Sequence, residues 1–217
     1  MMLDGKTIIV TGGASGIGRA TALLAAQEGA KVVIGDIDRA QAEITAELVR
    51  ETGQHAHVVE LDTSKPAHAE RLASETVKTF GTIDGIVCGA IKLKPSKLED
   101  LSEEDWDMVI DIGLKGYFLC AQAAGRVMLE KGRGSIVFVS SIGGVQAYNG
   151  AGAYSVAKAG NVMLGNLFGD GEIKVKGDGS LSDVTILYHY KFDPCAVPLS
   201  DPSCPGFDDA MLKYLLD

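Results

Sequence analysis

Ser141, Tyr154 and Lys158 are the residues of this 217-residue chain whose types and spacing could do chemistry. Tyr154 and Lys158 bracket the run Tyr154-Ser-Val-Ala-Lys158, so one helical turn puts a phenol and an ammonium on the same face. A neighbouring ammonium favours phenolate over phenol. A tyrosine tuned in that way can exchange a proton near neutral pH. Ser141, in Val139-Ser-Ser141, offers a hydroxyl to the same substrate oxygen. Taken alone, the pattern is also that of an exposed i, i+4 pair on a helix surface. Its meaning depends on the elements that position it.

The chain begins with a short apolar strand, Thr7-Ile-Ile-Val10, followed at once by Thr11-Gly-Gly-Ala-Ser-Gly-Ile-Gly18. A run of helix formers from Arg19 to Glu28 comes next, stopped by Gly29. Strand, glycine turn and helix in that order are the context in which a glycine motif binds a nucleotide. Glycine lets a phosphate approach the main chain, and the helix start offers unpaired N–H groups and a partial positive charge. The bland alternative is a glycine-rich turn that binds nothing.

A second strand, Lys31 to Asp36, ends on an acidic residue close to the spacing at which a carboxylate contacts a ribose 2′-hydroxyl. Such a carboxylate would repel the 2′-phosphate of NADP. No arginine or lysine stands in the glycine loop before Arg19 or directly after Asp36, which favours NAD. Asp36 could also simply start the turn Asp36-Ile-Asp38.

These residues together resemble the classical short-chain dehydrogenase/reductase family. The resemblance is carried by Thr11-Gly12-x-x-x-Gly16-x-Gly18, Asp36, Asp62 in Glu60-Leu-Asp62, Ser141, Tyr154 and Lys158, and it covers about residues 3 to 168. It implies an NAD-dependent oxidoreductase acting on an alcohol or carbonyl, with Tyr154 as general acid/base, Ser141 polarising the substrate oxygen, and Lys158 tuning the tyrosine and binding the nicotinamide ribose. It also implies a cofactor site formed by Gly12, Ser15, Gly16, Ile17, Gly18, Asp36, Ile37, Asp62, Thr63, Ala90, Tyr154 and Lys158. Asp62 would hold the adenine amino group; capping the next helix is the alternative of equal standing. Family members commonly pair through the helix containing Cys120 and the one beginning near Tyr154, which makes a homo-oligomer an expectation here.

Between these landmarks the chain alternates. Helical spacing covers Ala40 to Thr52 and Lys65 to Phe80, and strands are expected at His55–Leu61, Ile83–Cys88 and Ser135–Ser140. Ser102-Glu-Glu-Asp starts a long helix running past Trp106 and Arg126. The fold class is therefore α/β, a Rossmann-like doubly wound parallel sheet with its ligand at the carboxyl ends of the strands. Residues 1–169 form the NAD-binding core, and residues 170–217 an atypical segment packed on it or appended to it.

Three departures from the family pattern stand out. Where Asn-Asn-Ala-Gly is usual, this chain has Cys88-Gly-Ala-Ile91, and a β-branched Ile91 would be strained if the backbone there needed a positive φ. Gly113 stands where an asparagine is usual; it keeps the carbonyl of the family's proton relay but loses the side chain that fixes the helix kink, which predicts a poorly ordered relay. The third departure is the tail. Glu172 to Ser180 is polar and turn-rich, Asp183 to Tyr190 has strand composition, Pro194, Pro198, Pro202 and Pro205 mark an irregular stretch, and Phe207 to Leu216 could be a helix. Asp183–Tyr190 and Cys204-Pro-Gly-Phe207 could stand for the family's sixth strand and Pro-Gly turn. A foreign tail is the competing reading.

Composition sets the outer bounds. A formal net charge of −9 argues against nucleic acid or anionic membranes as partners. There is no apolar run long enough for a membrane helix and no visible cleavable signal. Cys88, Cys120, Cys195 and Cys204 lack metal-ligand spacing, so reduced thiols in a cytoplasm are expected over a Cys195–Cys204 disulfide. His55, His57 and His68 read as ordinary histidines rather than metal ligands. The resemblance implies a small alcohol or carbonyl compound as substrate. The alternative class is a non-catalytic dinucleotide-binding scaffold.

Overall fold

The computed structural model describes residues 1–145, 149–168, 173–176 and 180–187. Seven strands form one sheet: β1 (Thr7–Thr11), β2 (Lys31–Asp36), β3 (Ala56–Glu60), β4 (Gly85–Cys88), β5 (Gly134–Phe138), β6 (Ile173–Lys176) and β7 (Ser180–Leu187). Their order is β3-β2-β1-β4-β5-β7-β6. Strands β1 to β5 pair in parallel, which is the doubly wound arrangement expected from the alternating sequence. The connecting helices are α1 (Gly16–Gln27), α2 (Arg39–Glu51), α3 (Pro66–Phe80), α4 (Glu103–Ile110), α5 (Gly116–Lys131) and α6 (Gly152–Phe168).

The strands are apolar on both faces because both are covered. Alternate residues split between two cores. Ile9, Val33, Ile86 and Ile136 pack with Leu72, Cys120 and Met128 of α3 and α5. Ile8, Val10, Val32, Ile34 and Val87 pack with Ala22, Ala25, Ala42 and Val49 of α1 and α2. At the amino-terminal end of β4, Asp84 accepts from the Thr7 N–H at 2.9 Å and pairs with Lys131 of α5, tying β1 to the far end of that helix. Burial alone would push its carboxyl up, but the bonds from Lys131 and Thr7 more than offset this and hold it below the usual value of 3.8.

Helix boundaries follow the local chemistry. Asp38 caps α2 by accepting from the Gln41 N–H, and Gly81 closes α3 in the left-handed conformation. The long helix expected from Ser102 is present but not uniform. Ser102 caps α4 by accepting from the Asp105 N–H, and a single π-helical turn, Asp111–Lys115, then joins α4 to α5.

Three expectations need correction. Helix α1 starts at Gly16, within the glycine run rather than after it, so Gly16 to Gly18 form its first turn. The stretch read as polar and turn-rich contains β6, whose Ile-Lys-Val-Lys alternation has the period of a strand, and β6 pairs antiparallel with β7. Strand β7 runs parallel to β5, in the sixth position of the sheet, and begins three residues earlier than expected. The expected helix Phe207–Leu216, the proline stretch, the Cys204-Pro-Gly-Phe207 turn and the Cys195–Cys204 pair lie outside the described residues.

Candidate active site

The site forms at the carboxyl ends of β1, β4 and β5, where the strand order reverses. Between β1 and α1 the backbone is packed too closely for side chains. Gly12 has φ 72°, and a Cβ on it would lie 2.9 Å from the Ala90 main chain beyond β4. A Cβ on Gly18 would lie 2.0 Å from the Gly12 carbonyl oxygen. Both positions require glycine, and together they fold the loop so that the first turn of α1 faces outward. Ser15, Gly16 and Ile17 are exposed there, and Ser15 does not use its side chain to cap the helix. The leading N–H groups of a helix have no partner within it. An anionic ligand that accepts from them fits this cradle, as the pyrophosphate of a dinucleotide would.

Asp36 binds the loop from the end of β2. Its carboxylate accepts from the Ala14 N–H and from the Asp38 N–H, each at 3.0 Å, so it organises the turn while each oxygen keeps a lone pair for a ligand. Arg19 is committed elsewhere: it donates to Ala14 O, Thr45 Oγ1 and Gln41 Oε1. Ile37, directly after Asp36, is 69 % exposed.

Asp62 does not cap α3, whose N-cap is Lys65 with no side-chain bond; it closes the turn that precedes the helix. Its Oδ1 accepts from the Ser64 N–H at 3.0 Å and from the Ser64 hydroxyl at 2.6 Å, just before α3. Burial raises its carboxyl, but the Ser64 bonds, with Lys65 and His68 nearby, more than compensate and hold it below its ordinary range. Thr63 is buried, and its hydroxyl reaches the Ile112 carbonyl of the π-turn. His68 accepts from the Asp62 N–H, and His57 lies 3.3 Å from Glu75.

Tyr154 and Lys158 share a face of α6, as their spacing requires. The end of β5 holds that helix close: Ser140 Oγ donates to the Lys158 carbonyl at 2.9 Å, and a Cβ on Gly144 would touch the same carbonyl at 2.8 Å. Ser141 accepts from the Gly143 N–H. A Cβ on Gly143 would lie 3.3 Å from Tyr154 Cε1 and 3.4 Å from Ser141 Oγ, so the phenol and the serine hydroxyl flank one small gap.

Lys158 is only 2 % exposed. Its ammonium sits between two phenol rings, 5.0 Å from the centroid of Tyr117 and 5.6 Å from that of Tyr154. It donates to Tyr117 Oη at 3.1 Å and to the Val139 carbonyl at 2.5 Å. Burial lowers its pKa to about 8, against a small opposing effect of Cys88. Burial first, with Cys88, Tyr154 and Cys120 adding to it, pushes the Tyr117 phenol well up. Tyr117 therefore stays a neutral hydrogen-bond partner and does not compete as a base.

Both departures near the site have structural answers. No non-glycine residue among those described takes a positive φ, so Ile91 is not strained. Its Cδ1 instead lies 2.3 Å from where a Cβ on Gly113 would be. The Gly113 carbonyl, expected to be poorly ordered, accepts from Asn161 Nδ2 at 2.9 Å in a buried bond. Sequence reasoning overlooked Tyr117 and Asn161. Their signal was helical spacing: Asn161 follows Lys158 by three residues, and Tyr117 follows Gly113 by four.

Comparison with known proteins agrees with this construction. The family profile for "short chain dehydrogenase" matches residues 6–170. The chain belongs to the short-chain dehydrogenase/reductase family, and its relatives are oxidoreductases. It is 38 % identical over 167 residues to a 3-oxoacyl-(acyl-carrier-protein) reductase of Thermotoga maritima, covering 76 % of this chain and 67 % of that one. Carveol dehydrogenase of Mycobacterium avium, solved in complex with NAD, superposes with a TM-score of 0.74 at 30 % identity, covering 77 % of this chain and 65 % of that one. NAD+-bound xylitol dehydrogenase superposes with a TM-score of 0.75 at 28 % identity, over 77 % and 65 % of the two chains. The matched region thus spans 62 to 68 % of the length of such relatives.

Proposed function

We propose that this chain is an NAD-dependent oxidoreductase that interconverts a small-molecule alcohol and its carbonyl compound, with Tyr154 as the general acid/base. The observation that carries the reading is the buried Lys158 ammonium held beneath the Tyr154 ring, with Ser141 across the gap at Gly143. A positive charge fixed beside a phenol stabilises the phenolate that proton abstraction requires. Tyr154 takes the substrate hydroxyl proton during oxidation and returns it during reduction. Ser141 donates a hydrogen bond to the same oxygen. NAD, when bound, supplies the hydride acceptor, a role no side chain can fill.

The residues that would hold the cofactor are Gly12, Ser15, Gly16, Ile17 and Gly18 around the pyrophosphate and Asp36 and Ile37 at the adenine ribose. Asp62, Thr63 and Ala90 would line the adenine side, and Lys158 would reach the nicotinamide ribose. A carboxylate at Asp36, with Arg19 bonded to α2, supports NAD over NADP. Residues 1–169 are the cofactor-binding core in this reading, and 170–217 the atypical segment. The protein is then cytoplasmic, where the free thiols of buried Cys88 and Cys120 persist, and it pairs with a second copy through α5 and α6.

Calorimetry with NAD, followed by absorbance at the NADH band with a panel of alcohols, tests the proposal. Binding with turnover is the expected result. Binding with no turnover on any alcohol or carbonyl would instead make the chain a dinucleotide-binding scaffold.

A further inference from the structure

Helix α6 meets the start of α5 through two polar rungs. Lys158 donates to Tyr117, and one turn further along α6 Asn161 donates to the carbonyl of Gly113, one turn before Tyr117 in the π-turn. Between them α6 lies directly on the π-turn: a Cβ on Gly160 would come 2.7 Å from Leu114 Cδ1, and a Cβ on Gly113 would lie 3.6 Å from that of Ala157. Asn161 is fully buried, and its Oδ1 has no partner among the described residues. A buried carbonyl left unpaired is destabilising. The end of the amide that is used is Nδ2, which holds the Gly113 carbonyl. The carbonyl that Asn161 holds belongs to the π-turn Asp111–Lys115.

We propose that Asn161 is a positioning residue for Tyr154 and Lys158: its amide clamps the Gly113 carbonyl, and Ile91, filling the space over Gly113, keeps the π-turn pressed against α6. Ile91, Gly113 and Asn161 act as one unit. Gly113 leaves room for Ile91 Cδ1, and the side-chain amide that position 113 lacks comes from the opposite helix. Cutting the Asn161 rung frees α6 to shift along α5, and Lys158 moves with it. The proposal rests on the reading of Tyr154 and Lys158 as the proton-handling pair.

Asn161→Leu in the full chain tests it. The melt should stay cooperative but fall, because the variant removes the buried bond to the Gly113 carbonyl and fits a larger side chain into a fully buried position. Turnover should fall by about tenfold or more, since small misplacement of a catalytic pair is costly. NMR on lysine-labelled protein should show the Lys158 titration rising from about 8 towards the ordinary lysine value as the amine becomes hydrated. A merely structural role would not move that midpoint.

A second arm needs no substrate. Gly113→Ala should push aside Ile91 Cδ1, the movable end of a part-exposed side chain, and so lower Tm by a small amount, and adding Ile91→Ala should remove that cost. Unchanged turnover and an unchanged Lys158 midpoint in Asn161→Leu would overturn the clamp, and so would a Gly113→Ala variant as stable as the double variant. The two readings fail separately. If Tyr154→Phe retained full turnover, the assignment of the base would be wrong, while the lysine titration and the paired melts would still decide the clamp.

Discussion

The glycine loop after β1 and the π-turn between α4 and α5 both bring main chain against a neighbouring element, but by different physical means. In the loop the neighbour is backbone: Gly12 meets the Ala90 main chain, and Gly18 meets the Gly12 carbonyl. Nothing can give way, so only glycine fits. At the π-turn the neighbour is the far end of a side chain, Ile91 Cδ1, and the carbonyl is held by another side chain, Asn161. Side chains can be exchanged in sets. The loop is therefore a fixed motif, whereas the π-turn admits other residues provided they change together. Departures at 91 and 113 that look damaging one at a time are compatible with an ordered site when Asn161 is considered with them.

Within this comparison the largest expected effect is on the lysine the π-turn supports. Lys158→Met should reduce turnover by ~10²–10⁴, the usual contribution of proton-transfer machinery. It should also raise Tm at neutral pH. The sign follows from linkage: the folded-state value near 8 is below the ordinary 10.5, so the folded protein binds fewer protons between those values. The penalty of burying Lys158 is complete below pH 8 and disappears as pH rises towards 10.5. The stability of the parent should accordingly climb across that window relative to Lys158→Met, as thermal melts at stepped pH would show.

Gly18→Ala tests the rigid side of the comparison. With a Cβ forced to 2.0 Å from a backbone oxygen, it should lose about 3 kcal/mol, a fall in Tm of roughly 6–12 °C, and most NAD binding. A tolerated alanine there would mean that the loop can yield as the π-turn does.

Asp84 gives a smaller, pH-dependent effect remote from both. Its folded-state pKa is held below 3.8, so its contribution is present above about pH 4 and is lost as pH falls through the depressed value. Asp84→Asn should cost about 2 kcal/mol at pH 7, typical of a hydrogen bond to a charged group, and the difference from the parent should vanish in acid. Asp36→Ala should have the mildest effect. It should narrow the preference for NAD over NADP by about tenfold, the worth of one charge-assisted bond, and loosen the loop at Ala14, both measurable by calorimetry with each cofactor.

The same contrast explains what could be read from the sequence. The alternating strands and helices, the loop glycines and the Tyr154–Lys158 face are local patterns, and each appears where its spacing puts it. Asp36 was legible in position, and its bonds to Ala14 and Asp38 realise the turn that the sequence also allowed. Asp62 was legible as a residue at the end of β3, but its bonds to Ser64 close a local turn and do not cap α3, whose N-cap is Lys65. The partners of Lys158 were not legible. They depend on which helices pack together, and Tyr117 and the Val139 carbonyl lie 41 and 19 residues away. Strand β6 was missed because two lysines in four residues resemble a turn until the alternation is counted.

The most direct test of the central claim is the Tyr154→Phe variant, followed by NAD calorimetry and by NADH absorbance on an alcohol that the parent oxidises. Removing one hydroxyl leaves the ring over Lys158 and the glycine loop intact. NAD should bind as it does to the parent while turnover disappears. Turnover equal to the parent's would contradict the account, because the proton would then be leaving the substrate by a route that does not pass through Tyr154.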